Sequence, residues 1–211
     1  MPNRSGKAYG LTTLCPLEPE SGVDQSPEAI LRDFLNDLPK DTQSPMAAVP
    51  NTYLCRFFIL NDVIYQSKPA HVDHLRSKYL VFVAELHGEL DAYLQGMWTH
   101  AEAFVKKAFE YCVDFKASVS DARSFSRYVQ RCQVTTTFYF MGSTDEPLAE
   151  QLKALYLKQE LSKFVHAHQG LPAAELQREF QKFIERVRPS DPLPAWRAGA
   201  ASLSNAVVGE P

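Results

Sequence analysis

Residues 79–86 read Tyr-Leu-Val-Phe-Val-Ala-Glu-Leu, a nearly unbroken apolar run bounded by polar residues. A strand points successive side chains to opposite faces, so it can be apolar throughout only if both faces are covered. The chain must therefore build a sheet with a layer on each side of this strand. Gly88 marks where the strand ends.

Residues 51–60, Asn-Thr-Tyr-Leu-Cys-Arg-Phe-Phe-Ile-Leu, have the same character with one exception. Alternation puts Tyr53, Cys55, Phe57 and Ile59 on one face and Leu54, Arg56, Phe58 and Leu60 on the other, and neither set is polar. Helices can cover one face. The other calls for a second copy of the sheet, the C-terminal helices or a bound ligand. Arg56 then sits on a covered surface, where a guanidinium needs either a carboxylate, with Glu85, Glu89 and Asp91 as candidates, or an anionic ligand.

The remaining elements follow from periodicity and punctuation. The threonines and apolar residues of 9–17 predict a first strand, closed by Pro16 and Pro19. Ser26 and Pro27 open a helix with Ile30, Leu31, Phe34, Leu35 and Leu38 at helical spacing, and Pro39 stops it. A linker over 40–50 leads to the second strand. The stretch 89–111 predicts a long helix with Leu90, Tyr93, Leu94, Met97, Trp98, Ala101, Phe104, Val105 and Ala108 facing the core and Gly96 as the point of a kink. A short helix starts at Ser120. Gln-Val-Thr-Thr-Thr-Phe-Tyr-Phe-Met-Gly at 133–142 predicts the fourth strand. Two more helices follow, the second with Leu176, Phe180, Phe183, Ile184 and Val187 along one face.

Strand, helix, strand, strand, helix, strand is the split β-α-β order of a ferredoxin-like fold: α+β, with a four-stranded antiparallel sheet and additional C-terminal helices. The expected organisation is a ferredoxin-like domain over 1–142, C-terminal helices packed on it over 143–188, and an extended or disordered tail over 189–211.

Composition excludes several functions. A net charge of −3 and a pI near 6.1 give no electrostatic footprint for nucleic acid or an anionic membrane. The start of the chain lacks the apolar core of a secretory signal, and no uncharged run of about 18 apolar residues could span a bilayer, so a soluble cytoplasmic protein is expected. Cys15, Cys55, Cys112 and Cys132 form no C-x-x-C pair and are expected to be reduced and mostly buried. His71, Asp73 and His74 lack a third metal ligand, and His166 with His168 suits a helix C-terminus, so no metal site is expected. The marks of serine hydrolases, nucleotide-binding loops and zincins are absent. Cys55, beside Arg56, reads either as a nucleophile activated by the cation or as an inert core thiol.

The segments Tyr-Leu-Cys-Arg-Phe-Phe-Ile-Leu (53–60), Tyr-Leu-Val-Phe-Val-Ala-Glu-Leu-His-Gly-Glu-Leu-Asp-Ala-Tyr-Leu (79–94), Phe-Glu-Tyr-Cys-Val-Asp-Phe (109–115) and Thr-Thr-Thr-Phe-Tyr-Phe-Met-Gly (135–142) carry a resemblance. In this order they resemble bacterial proteins with an H-F-A-R-[WF] strand, an L-x-F-x-x-x-x-D-G-x-x-x-x-[YF]-L stretch, an H-C-x-G-[YF] turn and an F-Y-x-G strand, some described as peroxidase-like. The resemblance spans roughly residues 9–165. It implies a fold similar to dye-decolourising peroxidases and dimeric α+β-barrel monooxygenases. Arg56 matches the family arginine and Cys112 the family cysteine, whereas Tyr53 and Tyr111 stand where the family has histidines and His87 stands for its acidic residue.

Two functions follow as expectations. In the first, a small-molecule site inside an α+β barrel, closed by dimerisation or by the C-terminal helices, supports peroxidase- or monooxygenase-like oxidation of an aromatic or oxygenated compound. Arg56, Tyr53 and Tyr111 are its catalytic candidates, and Cys55, Phe58, Phe82 and His87 its ligand-binding candidates. Haem is the cofactor the resemblance suggests, and Tyr53 and Tyr111 in place of histidines disfavour it. In the second, the polar site has been lost and the aromatic sheet face binds another chain, a homodimer or a protein partner, without catalysis. The residues leave open which of the two applies.

Overall fold

A computed structural model of the protein describes residues 3–19, 26–63, 68, 74–142 and 145–200. The chain divides into two compact units, one of residues 1–39 and 44–145 and the other of residues 40–43 and 146–211.

The first unit is α+β around a four-stranded antiparallel sheet: β1 (Arg4–Ser5), β2 (Ala8–Pro16), β3 (Thr52–Leu60) and β4 (Tyr79–His87), in the order β1-β2-β4-β3. β4 is central, paired with β2 from Ala8↔His87 to Pro16↔Tyr79 and with β3 from Thr52↔Leu86 to Leu60↔Tyr79. Its unbroken apolar run thus occupies the position where both edges are hydrogen-bonded and both faces covered. Helices α1 (Pro27–Asn36), α2 (Leu90–Ala108), α3 (Phe115–Ser118) and α4 (Ala122–Arg131) complete the unit, with a 3-10 turn at Pro45–Ala48 inside the expected linker.

All nine α2 residues expected to face the core are buried. They pack with Tyr9, Leu11 and Cys15 of β2 and Leu80, Phe82, Ala84 and Leu86 of β4. Phe57 of β3 stacks on Phe82 at 4.4 Å between ring centroids, and Phe104 and Phe109 meet Phe57 edge-on. The interruption of α2 falls at Ala101 (φ −142°, ψ 34°), not at Gly96. The N-cap of α4 is Asp121, not Ser120: its carboxylate accepts from Ser124 N–H at 2.7 Å while the Ser124 hydroxyl accepts from Asp121 N–H.

The expected strand at 133–142 is not formed as such; among its described residues one bridge, Thr13↔Gln133, joins it to β2. The fourth strand is the short arm Arg4–Ser5, returned by Gly6 at φ +61°. The reason lies in the outer edge of β2, which three segments share. Gly10 N–H donates to Asn3 O, Leu14 N–H to Cys132 O and Glu18 N–H to Tyr111 O, while Val134 and Val113 N–H donate to Thr12 and Pro16 O. A strand continuing past Val134 would run into Asn3, whose side chain instead binds Gly10 O (3.0 Å) and the Thr136 hydroxyl (3.1 Å).

The second unit holds α5 (Leu148–Ala167) and α6 (Ala173–Val187). Phe164, Phe183 and Val187 form its core, whereas Leu176, Phe180 and Ile184 of the expected apolar face are exposed. The buried Lys153 ammonium donates to Val187 O (2.7 Å) and Pro194 O (2.8 Å), and Trp196 N–H reaches Leu152 O, so 194–196 follow α5 as an arm. The rest of the expected tail, 201–211, lies outside the described residues. Among the described residues no helix is long and apolar enough to cross a membrane.

Phe82→Ala should cost about 3–5 kcal/mol in urea unfolding, since a fully buried, stacked ring is removed. Phe138→Ala, at a ring 82% exposed, should stay within about 0.5 kcal/mol.

Candidate functional site

The helix-covered face takes the odd positions of β2, the even positions of β4 and Cys55, Phe57 and Ile59 of β3. The opposite face therefore carries Gly10, Thr12 and Leu14, then Val81, Val83, Glu85 and His87, then Leu54, Arg56, Phe58 and Leu60. A bulge between Thr52 and Leu54 makes Tyr53 an extra residue. Thr52 consequently keeps its hydroxyl 3.0 Å from the Tyr93 phenol in the core, and the Tyr53 ring meets His87 edge-on at 6.4 Å.

β3 is the open strand of this face, with Leu54 52% and Phe58 44% exposed. Arg56, between them, is exposed and makes no hydrogen bond or ion pair with the described residues. The three carboxylates expected as partners do not pair with it. Glu89 is held by Arg4, one bond at 2.9 Å, and Asp91 accepts from Ser126 and Gln95, each at 2.6 Å. Glu85, one diagonal step from Arg56 in the register, keeps Oε2 buried with no hydrogen-bond partner.

Tyr139 completes this cluster. Its ring lies on Gly10, where a Cβ would come within 2.9 Å of Cε2, so that contact needs glycine. Burial, and then the adjacent Glu85 carboxylate, push the Tyr139 phenol above the usual range. His87 Nε2 donates to Asp145 O at 3.2 Å, and the Asp145 carboxylate accepts from Lys7 N–H at 2.6 Å. A cation, a carboxylate, two phenols and an imidazole thus gather on one sheet face, a set able to bind an oxygenated group and exchange protons with it.

Of the seven residues expected at the site, Arg56, Tyr53, Phe58 and His87 share this face. Cys55 and Phe82 point into the helix-covered core. Tyr111 lies beyond the far end of β2, with its carbonyl accepting from Glu18 N–H and Lys116 over its ring, roughly 30 Å along the strands from Tyr53. Within one copy Tyr53 and Tyr111 are too far apart to act on one group, and a haem held between them does not fit this arrangement. Gly10 and Tyr139 are the site residues that sequence reasoning missed, with Glu85 expected there only as a carboxylate partner of Arg56. Glu85 reads as the polar end of an apolar run, and the roles of Gly10 and Tyr139 depend on contact across the fold.

Burial pushes the Cys55 thiol up to about 11, which favours the inert reading over an activated nucleophile. His74 Nδ1 lies 2.8 Å from Asp62, while His71 and Asp73 lie outside the described residues. Among the described residues no group of three His, Cys, Asp or Glu could hold a metal ion. Two clefts, of about 520 and 560 Å³, lie away from Arg56: one beside Lys106, Lys107 and Lys116, the other beside Glu28, Asn61 and Lys78.

At high dilution, where contacts between copies are lost, Arg56→Met should leave unfolding stability within about 0.5 kcal/mol of the parent, the outcome for a cation unpaired within one copy. A loss of 3 kcal/mol or so would mean a buried ion pair instead. Alkylation of Cys55 in the native protein should be slow at neutral pH and accelerate as pH approaches about 11, followed by peptide mass mapping. In comparison with known proteins, no family model, curated protein or solved structure matches this chain.

Proposed function

We propose that this chain is a self-associating α+β domain in which the open sheet face of one copy covers that of a second across a two-fold axis. The observation that carries this reading is an exposed apolar pair, Leu54 and Phe58, flanking an exposed Arg56 that has no partner among the described residues, with the Glu85 carboxylate, beside the Tyr139 phenol, one diagonal step away. A two-fold axis makes a self-complementary contact, so Arg56 of each copy would meet the Glu85 side of the other, where a side-chain rearrangement brings the buried Oε2 within reach. Leu54 and Phe58 supply the apolar area around them. The order β2-β4-β3, with 132–134 beside the outer edge of β2 where a ferredoxin-like sheet has its fourth strand, supports a ferredoxin-like domain and a dimeric α+β barrel.

A second reading rests on the same enclosure. The Tyr53–His87 pair and the Tyr139–Glu85 pair border Arg56, and between two sheets they would line a site for an anionic or oxygenated aromatic compound. Arg56 would orient its anionic group and the phenols would donate hydrogen bonds. This ligand-binding role does not require oxidation chemistry, and a compound released on denaturation and identified by mass spectrometry would support it.

Sedimentation of the full chain should give a dimer at micromolar concentration. Arg56→Glu, Glu85→Arg and Leu54→Lys should each shift it to monomer while circular dichroism stays unchanged. Mixing the Arg56→Glu and Glu85→Arg proteins should restore a dimer, because each copy then supplies the charge the other lacks. A monomeric parent, a dimer indifferent to Arg56→Glu and Leu54→Lys, or a stable complex with an unrelated protein through this face would overturn the proposal.

A further inference from the structure

Three of the four cysteines, far apart in sequence, converge under the outer edge of β2. Cys15 lies on β2, fully buried. Cys112 is opposite Leu17 in an antiparallel bridge, two residues along the same face from Cys15. Cys132, the C-cap of α4, accepts Leu14 N–H through its carbonyl at 2.9 Å, next to Cys15 in the chain. The Cys15 thiol lies within hydrogen-bonding reach of both the other thiols and 3.8 Å from the Thr13 hydroxyl. Cys55 sits apart on β3. The trio lacks the arrangement of a metal centre, which leaves sulfur–sulfur chemistry as what it can do.

We infer that Cys132 and Cys15 form a modification site, an intramolecular disulfide made on exposure to hydrogen peroxide, that locks the C-terminus of α4 to β2. Cys132 starts the reaction because it is the partly exposed member, whereas Cys15 and Cys112 are fully buried. Its sulfur attacks one peroxide oxygen, the O–O bond breaks and water leaves, giving a sulfenic acid on Cys132. The Cys15 sulfur then attacks the Cys132 sulfur, the S–O bond breaks, and a second water departs with the Cys15 proton. Two thiols are oxidised by two electrons and one peroxide is reduced to two waters. Cys15 is the resolving partner because its thiol neighbours that of Cys132 and Leu14, beside it, is already hydrogen-bonded to Cys132, whereas Cys112 is set opposite Leu17, three positions along β2 from Leu14.

The environment makes the step slow and alkaline-dependent. Hydrogen bonding to Cys112 and burial push the Cys15 thiol up to about 12. The Cys132 thiol is pushed up by its hydrogen bond to Cys15 and by burial, against the opposing charge of Arg131. Tyr128, whose phenol donates to Val113 O at 2.9 Å, is itself held protonated by burial and the surrounding thiols. At neutral pH few thiolates are present, so the lock answers sustained rather than brief oxidation.

The test incubates the full chain with millimolar hydrogen peroxide, counts thiols after denaturation and maps peptides without reduction. The expected result is a loss of two of the four thiols, a Cys15–Cys132 linked peptide, a reaction that quickens with pH and a melting temperature several degrees higher, reversed by a reducing agent. Cys55→Ser should still form the link, whereas Cys132→Ser should retain its three thiols. Four thiols remaining, a link through Cys55 or Cys112, or an intact reaction in Cys132→Ser would overturn the inference.

Discussion

The rest of the first unit depends on the central position of β4. Paired with β2 over nine residues and with β3 on its other edge, it fixes which side chains of all three strands share a face. A slip of one residue in either register would exchange the core set, Leu80, Phe82, Ala84 and Leu86, with Val81, Val83, Glu85 and His87. That would bury a carboxylate and an imidazole beneath α2, a cost that keeps the register single. The same constraint puts Arg56 and Glu85 together on the far face while their neighbours Phe57, Phe82 and Ala84 hold the aromatic core.

Much of this was legible in the sequence because burial leaves a periodic trace. The apolar run 79–86 announced a strand covered on both sides, and the three- and four-residue spacing in α2 marked its nine buried residues. The segment 133–142 misled for a physical reason. Its valine, threonine and aromatic residues are suited to a strand, but pairing depends on a free edge, and the polar residues Asn3–Ser5 already occupy that part of β2. A two-residue arm has no periodicity to read. The break at Ala101 and not at Gly96 likewise runs against local preference.

The site divides in the same way. Alternation alone placed Arg56 and Phe58 on one face and Cys55 on the other. The bulge at Tyr53 reverses that residue's face, so the Tyr53–His87 contact could not be read from strand period. Tyr139, Gly10 and Glu85 meet across more than fifty residues of sequence, and the cysteines at 15, 112 and 132 carry no motif spacing, so neither grouping leaves a local signal. Arg56 began as a cation in need of a partner. Within one copy the described residues give it none, and the carboxylate that could serve is itself one oxygen short of satisfaction.

The central proposal is that a second copy covers this face. Hydroxyl-radical footprinting of side chains, read by mass spectrometry across a dilution series, tests it most directly. The account predicts that Leu54 and Phe58 are protected at high concentration and become reactive together on dilution, while Phe82 stays protected throughout. Equal labelling of Leu54 and Phe58 at every concentration would contradict it.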